Sequence, residues 1–300
     1  MNSSLSCTIP LPANFRSGDI LAFHQRDRQA LSERVDGSSF HKGLLWNEQP
    51  ACLSVHFHAD RVEVQLNIDG DVTSDSQPRL EMMTRRMLGL NQEIELFERR
   101  YLEHPRLGAL IAARPGLRVP VTATPFEALT WAVTGQQISV GAAVSIRRKL
   151  IVATGLRHSS NLLCYPGAAQ LARLSKEELR QAGFSATKTR TLRSLAELVM
   201  EGELPLEVEE ATFHVDDIRG RLLAVRGIGP WTVDYTLLRG FGWLDGSLHG
   251  DVAVRRGLQL VLGREEKVGE EEAKVWLTEF SPWRALVAAH LWAAKSTLAY

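Results

Sequence analysis

The chain has 300 residues, 44% hydrophobic and 23% charged, with 35 Lys and Arg balanced by 35 Asp and Glu. That composition is ordinary for a globular protein with room for two or three modules with cores of their own, and it excludes a disordered or fibrous chain. No apolar run approaches the roughly 20 residues needed to span a bilayer, and the first dozen residues lack a basic start followed by an apolar core, so a cytosolic, non-membrane protein is expected. Cys7, Cys52 and Cys164 are odd in number and scattered, which argues against a disulfide framework or a thiolate metal cluster.

In chain order, residues 1–95 mix strand and helix signals and predict an α+β N-terminal domain. Leu53, Val55, Phe57 and Ala59 share one face, and Val62, Val64, Leu66 and Ile68 repeat the two-residue period after a turn near Asp60, which predicts a β-hairpin. His56 and His58 fall on the polar face of its first strand; with no third ligand nearby they read as solvent-facing histidines rather than a metal site. Leu80–Leu90 and Ile94–Leu102 read as helices.

Residues 96–300 are expected to be all helical. Thr124-Pro125-Phe126-Glu127 supplies an N-cap, a first-turn proline and a capping-box glutamate for a helix carrying Trp131, and Ser175 with Glu178 repeats the box. Gly155, Gly183, Gly202 and Gly263 fall where helices should stop. Between Gly135 and Leu195 there are ten Lys or Arg against two acids, whereas Ala196–Asp217 holds eight acids and no Lys or Arg. A solvated helix face is the plain reading of the basic stretch. Beside an anion-binding element it reads better as a nucleic-acid-facing surface.

Such an element follows. The run Leu222-Leu223-Ala224-Val225-Arg226-Gly227-Ile228-Gly229-Pro230-Trp231 is an apolar helix end, a Gly-Ile-Gly hairpin and a proline suited to the first turn of a second helix. Gly227 and Gly229 permit positive φ and close approach of another backbone, and the unpaired N–H groups at a helix start favour a phosphate. Twenty residues past Trp231, Asp251 precedes the apolar run Val252–Leu262. Its plain reading is an N-cap.

The run from Val225 to Tyr235, Leu238-Arg239-Gly240 and Asp251 resemble the helix-hairpin-helix DNA glycosylases. Arg114-Pro115-Gly116-Leu117-Arg118-Val119-Pro120, Gly135-Gln136-Gln137-Ile138-Ser139, Pro282-Trp283-Arg284 and His290-Leu291-Trp292 are similar to the pattern of DNA-3-methyladenine glycosylase II, the AlkA type. The motifs cover about residues 110–295. The resemblance implies two helical subdomains with a cleft beneath the hairpin, and Asp251 as the catalytic carboxylate that stabilises oxocarbenium character on the sugar and orients or deprotonates water. It further implies a base pocket of Trp231, Tyr235 and Trp292, with Trp292 the main stacking partner, and a wedge at Gln137 where the family pattern has leucine. Gly227, Ile228 and Gly229 would grip the DNA phosphate. The backbone carbonyls of Leu223, Val225 and Ile228 would hold a structural Na+ or K+, absent from the chemical step. Trp131, Trp276 and Trp283 are assigned to packing. Leu248 and His249 stand where relatives commonly have a proline.

The function expected is a monofunctional glycosylase of base excision repair that flips alkylated purines out of double-stranded DNA and leaves an abasic site. It would be a monomer in a bacterial-type, nucleoid-associated cytoplasm, needing no cofactor for chemistry. An iron-sulfur cluster is excluded because four closely spaced cysteines are lacking. Two alternatives stay open: a bifunctional glycosylase/lyase for oxidised bases, and a non-catalytic DNA-binding protein using the same hairpin.

Overall fold

The structure, a computed structural model, describes residues 3–206 and 214–294. Glu207, Glu209 and Glu210 of the acidic stretch lie outside the described residues. The N-terminal part is an antiparallel sheet of β1 (Ser3–Pro10), β2 (Glu33–Asp36), β3 (Ser39–Trp46), β4 (Gln49–Phe57) and β5 (Arg61–Ile68), in the spatial order β1-β5-β4-β3-β2. The expected hairpin is β4–β5, with Leu53 opposite Leu66 and Val55 opposite Val64, and its apolar face is buried. Helix α1 (Ser17–His24) lies between β1 and β2 in the chain. Helix α2 (Ser76–Met87) starts four residues before the expected Leu80 and stops at Gly89, whose φ of 68° suits glycine. Leu80, Met87 and Leu88 pack into the sheet's core.

From α3 (Ile94–Tyr101) and α4 (Gly108–Ala113) onward the apolar side chains serve a different core. The helices that follow are α5 (Pro125–Gly135), α6 (Val140–Thr154), α7 (Ala168–Arg173), α8 (Lys176–Ala182), α9 (Ala186–Met200), α10 (Val215–Ala224), α11 (Pro230–Thr236), α12 (Val252–Leu262), α13 (Glu270–Thr278) and α14 (Arg284–Ala293). A π-helical turn, Leu237–Phe241, continues α11. Gly155, Gly183 and Gly263 are left-handed C-caps, and Glu178 accepts the Ser175 N–H at 2.8 Å as a capping box requires.

The helices form two apolar clusters that meet at α5 and α11. Phe126, Leu129, Val133, Val233 and Leu237 face one cluster; Trp131, Ala132, Tyr235 and Leu238 face the other. Helix α5 is buried around its whole circumference, as expected of a helix shared by two cores. Helices α5 and α11 are thus the seam along which the two clusters join.

One expectation at α5 fails for a physical reason. Thr124 Oγ1 accepts the Glu127 N–H at 3.2 Å, but the Glu127 carboxylate does not return to cap the helix. It is 2% exposed and meets Lys42 Nζ of β3 at 2.7 Å and Arg147 of α6 at 2.9 Å. Glu33 completes the cluster, 2.6 Å from Lys42 and 3.2 Å from Arg147. Burial alone would raise both carboxyls; Arg147 and Lys42 outweigh it and hold Glu33 well below, and Glu127 below, the usual carboxylate range. This buried cluster joins the sheet to the helix shared by the two helical cores.

Candidate active site

The hairpin joins α10 to α11. Ile228 N–H donates to the Val225 carbonyl at 3.0 Å to close the turn, and the Ile228 side chain is buried in the adjoining core. Gly227 adopts φ 96°, and a Cβ there would lie 2.4 Å from Thr191 Oγ1. Gly229 differs from expectation. With φ −113° and ψ 173° it is extended backbone that any residue adopts, and nothing lies within 4 Å of its would-be Cβ. Positive φ is therefore needed only at Gly227, whereas Gly229 keeps the mouth of α11 open.

Asp251 is the N-cap of α12, 7% exposed, and its carboxylate also meets the indoles of Trp231 and Trp292. Its Oδ1 accepts the N–H groups of Ala253 at 2.8 Å and Val254 at 3.1 Å and the indole N–H of Trp292 at 3.2 Å. Its Oδ2 accepts, among the described residues, one donor, the indole N–H of Trp231, at 3.0 Å. The capping and site readings of this residue thus coexist on different oxygens. The loop before it, unusual in sequence, is anchored by the buried Leu248, whose carbonyl accepts the Asp251 N–H at 3.0 Å.

Trp231 and Tyr235, four residues apart on α11, lie with ring centroids 5.2 Å apart; Tyr235 and Trp292 of α14 are 6.5 Å apart. The three aromatics are brought together around Asp251. Their exposure differs: Trp231 is half-buried, while Tyr235 and Trp292 are 3% exposed. Trp131 does more than pack, since its indole N–H donates to the Tyr235 hydroxyl at 2.9 Å. Trp276 and Trp283 sit in the core beside Phe280 and Phe97.

Three residues of this region were not singled out in the sequence. Phe23 and Arg26 come from α1 and the turn after it: the Arg26 guanidinium stands 3.9 Å from the Phe23 ring and 4.8 Å from Trp131. Arg239, from the π-helical turn, lies 5.1 Å from Phe23 and 5.6 Å from Trp292 and donates to the Pro120 carbonyl at 2.8 Å. Burial pushes Arg239 down to about 10 and also lowers Arg26. Phe23 and Arg26 are more than 200 residues from Asp251 and carry no spacing signal; Leu238-Arg239-Gly240 was part of the motif but suggested no role.

Gln137 is exposed on the loop between α5 and α6 with φ 57°, an uncommon conformation for a non-glycine residue. Beside it, the Gln136 amide donates to the Gly227 carbonyl at 3.0 Å and to Thr232 Oγ1 at 2.9 Å, which ties the loop to the hairpin. The basic stretch is partly consumed inside the molecule: Arg147 lies in the buried cluster, Arg148 pairs with Asp27 at 2.6 Å, and Lys188 bonds to backbone carbonyls. Lys149, Arg173, Lys176, Arg180 and Arg190 remain exposed. Among the described residues no three His, Cys, Asp or Glu side chains converge to hold a metal. His56 instead bonds Ser39 Oγ at 2.6 Å, and His58 faces Glu63 at 3.2 Å. No helix among the described residues is long and apolar enough to cross a membrane.

Comparison with known proteins bears on the family and the fold. Residues 8–124 match the AlkA N-terminal domain, and residues 130–282 match the HhH-GPD superfamily base excision DNA repair protein family. The chain is 29% identical over 188 residues to DNA-3-methyladenine glycosylase 2 of Escherichia coli, covering 62% of this chain and 63% of that protein. In fold it is similar to a 3-methyladenine DNA-glycosylase from Archaeoglobus fulgidus, with TM-score 0.79 at 17% identity over 98% of this chain and all of the other. It is similar also to an 8-oxoguanine glycosylase/lyase from Clostridium acetobutylicum in complex with double-stranded DNA, with TM-score 0.74 at 13% identity over 99% and 98% of the two chains. The same architecture thus serves proteins named for different chemistries, and at such identities it speaks for the fold alone. With its N-terminal antiparallel sheet and Gly-Ile-Gly hairpin, and with residues 130–282, more than half its length, matching the family, this chain belongs to the HhH-GPD superfamily of base excision DNA repair proteins.

Proposed function

We propose that the protein is a monofunctional DNA glycosylase that excises alkylated purines from double-stranded DNA and leaves an abasic site. The observation that carries this reading is the asymmetric environment of Asp251. Three N–H donors occupy Oδ1, while Oδ2 has Trp231 alone and keeps acceptor capacity for a sugar or water. A carboxylate so placed stabilises positive charge developing at C1′ as the N-glycosidic bond breaks and can orient or deprotonate the attacking water. Trp231, the half-buried aromatic, offers the stacking face nearest that oxygen, with Tyr235 and Trp292 behind it. A purine made cationic by methylation gains from an aromatic face, and Arg26 and Arg239 bias it toward the Asp251 side by repulsion. The side chain beside Asp251 Oδ2 is the indole of Trp231, which cannot form a Schiff base.

Extrusion of the base is assigned to Gln137, whose exposed amide fills the vacated stack and can hydrogen-bond the orphaned base. The Gly229 N–H and the unpaired N–H groups at the start of α11 receive a phosphate, while Gly227 and Ile228, whose N–H closes the turn on Val225, shape the hairpin around it. The carbonyls of Leu223, Val225 and Ile228 lie at the C-terminal end of α10 and beyond it, where carbonyls retain lone pairs and the helix dipole favours a cation. They suit a bound Na+ or K+ that supports DNA binding and takes no part in the chemistry. A monomer working in the cytoplasm at the nucleoid fits this reading. The test is release of free 3-methyladenine and 7-methylguanine from methylated duplex DNA, quantified by mass spectrometry; a pure, folded protein releasing neither would overturn it.

A further inference from the structure

Lys188 is the third residue of α9, in the first turn, where the helix dipole disfavours a cation. Its ammonium pairs with no carboxylate among the described residues, and burial lowers its pKa. It reaches the opposite end of another helix: Nζ donates to the carbonyl of Thr134 at 2.8 Å and to that of Gln136 at 2.8 Å, at the C-terminus of α5. The second carbonyl belongs to the peptide group joining Gln136 to Gln137, so Lys188 holds the plane from which the left-handed Gln137 departs. One turn along the same face of α9, Thr191 Oγ1 donates to the Arg226 carbonyl of the hairpin at 2.9 Å. Gln136 closes the triangle through the Gly227 carbonyl.

We infer that α9 is a brace that holds the extruding loop and the phosphate-gripping hairpin in one geometry, and that Lys188 is a positioning residue for base extrusion acting through Gln137. The inference rests on the glycosylase reading and on Gln137 as the wedge. A left-handed backbone at an exposed glutamine persists only where its surroundings over-determine it, and two hydrogen bonds from one ammonium, with a side-chain tether on the same residue, supply that constraint. Without Lys188 the 136–137 peptide is held only by the long Ile138 N–H bond to the Gly135 carbonyl, 3.4 Å, and by the Gln136 side chain, and Gln137 spends less of its time at the stack. Phosphate capture then no longer delivers the wedge to the lesion.

The experiment uses the full chain with Lys188→Met, the conservative Lys188→Arg, Gln137→Ala and the Met/Ala double variant. Extrusion is read by stopped-flow fluorescence of 2-aminopurine beside a methylated purine, excision by single-turnover release, and binding on undamaged duplex. We expect Lys188→Met to slow extrusion and excision ten- to a hundredfold with affinity for undamaged duplex within about threefold, Lys188→Arg to recover most of the loss, and the double variant to be no slower than Gln137→Ala. Wild-type extrusion by Lys188→Met, additive losses in the double variant, or an equal fall in undamaged-duplex affinity would each overturn the brace, the last making Lys188 a phosphate ligand. If Lys188→Met does not fold, Lys188→Gln, which keeps a donor without the charge, must show the same coupling at smaller size or the inference fails. Failure of wild type to release any methylated purine would instead refute the glycosylase reading.

Discussion

The indole N–H of Trp231 and the carboxylate Oδ2 of Asp251 are joined at 3.0 Å across the gap between α11 and the start of α12. An aromatic expected only to stack is therefore also, among the described residues, the one hydrogen-bond donor to Asp251 Oδ2. The removal of either partner has consequences beyond the loss of its own function.

Asp251→Asn shows this most directly. As a helix cap the change would cost at most about 1 kcal/mol, because an amide oxygen still accepts the Ala253 and Val254 N–H groups. The new amide N–H2 must then take the place of Oδ2 and meet the Trp231 donor, leaving a donor unsatisfied at about 1–3 kcal/mol. Excision should fall roughly a thousandfold, corresponding to about 4 kcal/mol of lost charge stabilisation. Urea titration and single-turnover release check both; a normally stable variant with near wild-type release would show that Asp251 only caps α12.

Trp231→Phe keeps a stacking face and removes that donor. Excision should drop about tenfold, near 1.4 kcal/mol, while affinity for duplex carrying a stable abasic analogue stays within a factor of three. Unchanged single-turnover rates would show that the hydrogen bond is incidental.

The two hairpin glycines should separate. Gly227→Val conflicts with φ 96° and with Thr191 Oγ1, so both folding and DNA affinity should suffer. Gly229→Ala has room in the free protein and should leave the melting temperature unchanged while weakening binding to all sequences alike, because the methyl stands where a phosphate approaches. Equal melting losses for both variants, or sequence-selective loss, would contradict this assignment.

Borohydride added during turnover should trap no covalent protein–DNA adduct, since Trp231, the side chain bonded to Asp251 Oδ2, has no amine with which to form a Schiff base. A trapped adduct on a denaturing gel would move the chain to lyase chemistry.

Stability should fall in acid before the buried carboxylates protonate. His290 is 1% exposed and stacked on Phe97 at 5.5 Å, and burial pushes its pKa from 6.5 down to about 4. A histidine depressed in the fold binds its proton more readily when unfolded, so its contribution is complete above pH 6.5 and is lost as pH falls toward 4, by about 3 kcal/mol in all. Urea midpoints measured across that range should decline in wild type and decline less in His290→Phe. Parallel curves would exclude His290 as the cause.

Periodicity and end signals carried much of this fold into view before any coordinates. The β4–β5 hairpin, the caps at Ser175 and Gly263, the turn at Gly227 and the cap at Asp251 are each set within a few residues of chain, where backbone geometry and the face on which an apolar side chain falls are local matters. The carboxylate and its aromatics were legible through motifs, which mark residue types at a spacing. What tertiary structure alone decided is which groups meet. Glu127 has the same sequence signature as a capping-box glutamate, yet Lys42, 85 residues away, and Arg147 draw it into a buried cluster. Arg147, Arg148 and Lys188 counted toward a basic surface and turned inward, because a charge counted along the chain carries no direction. Arg26 meets Trp131, and Phe23 meets Arg239, only because the chain around α1 folds back onto these helices, and no periodicity encodes contact across two hundred residues. Hydrogen bonds between side chains depend on distances of a few tenths of an ångström, and those are set by the packing of whole helices against one another.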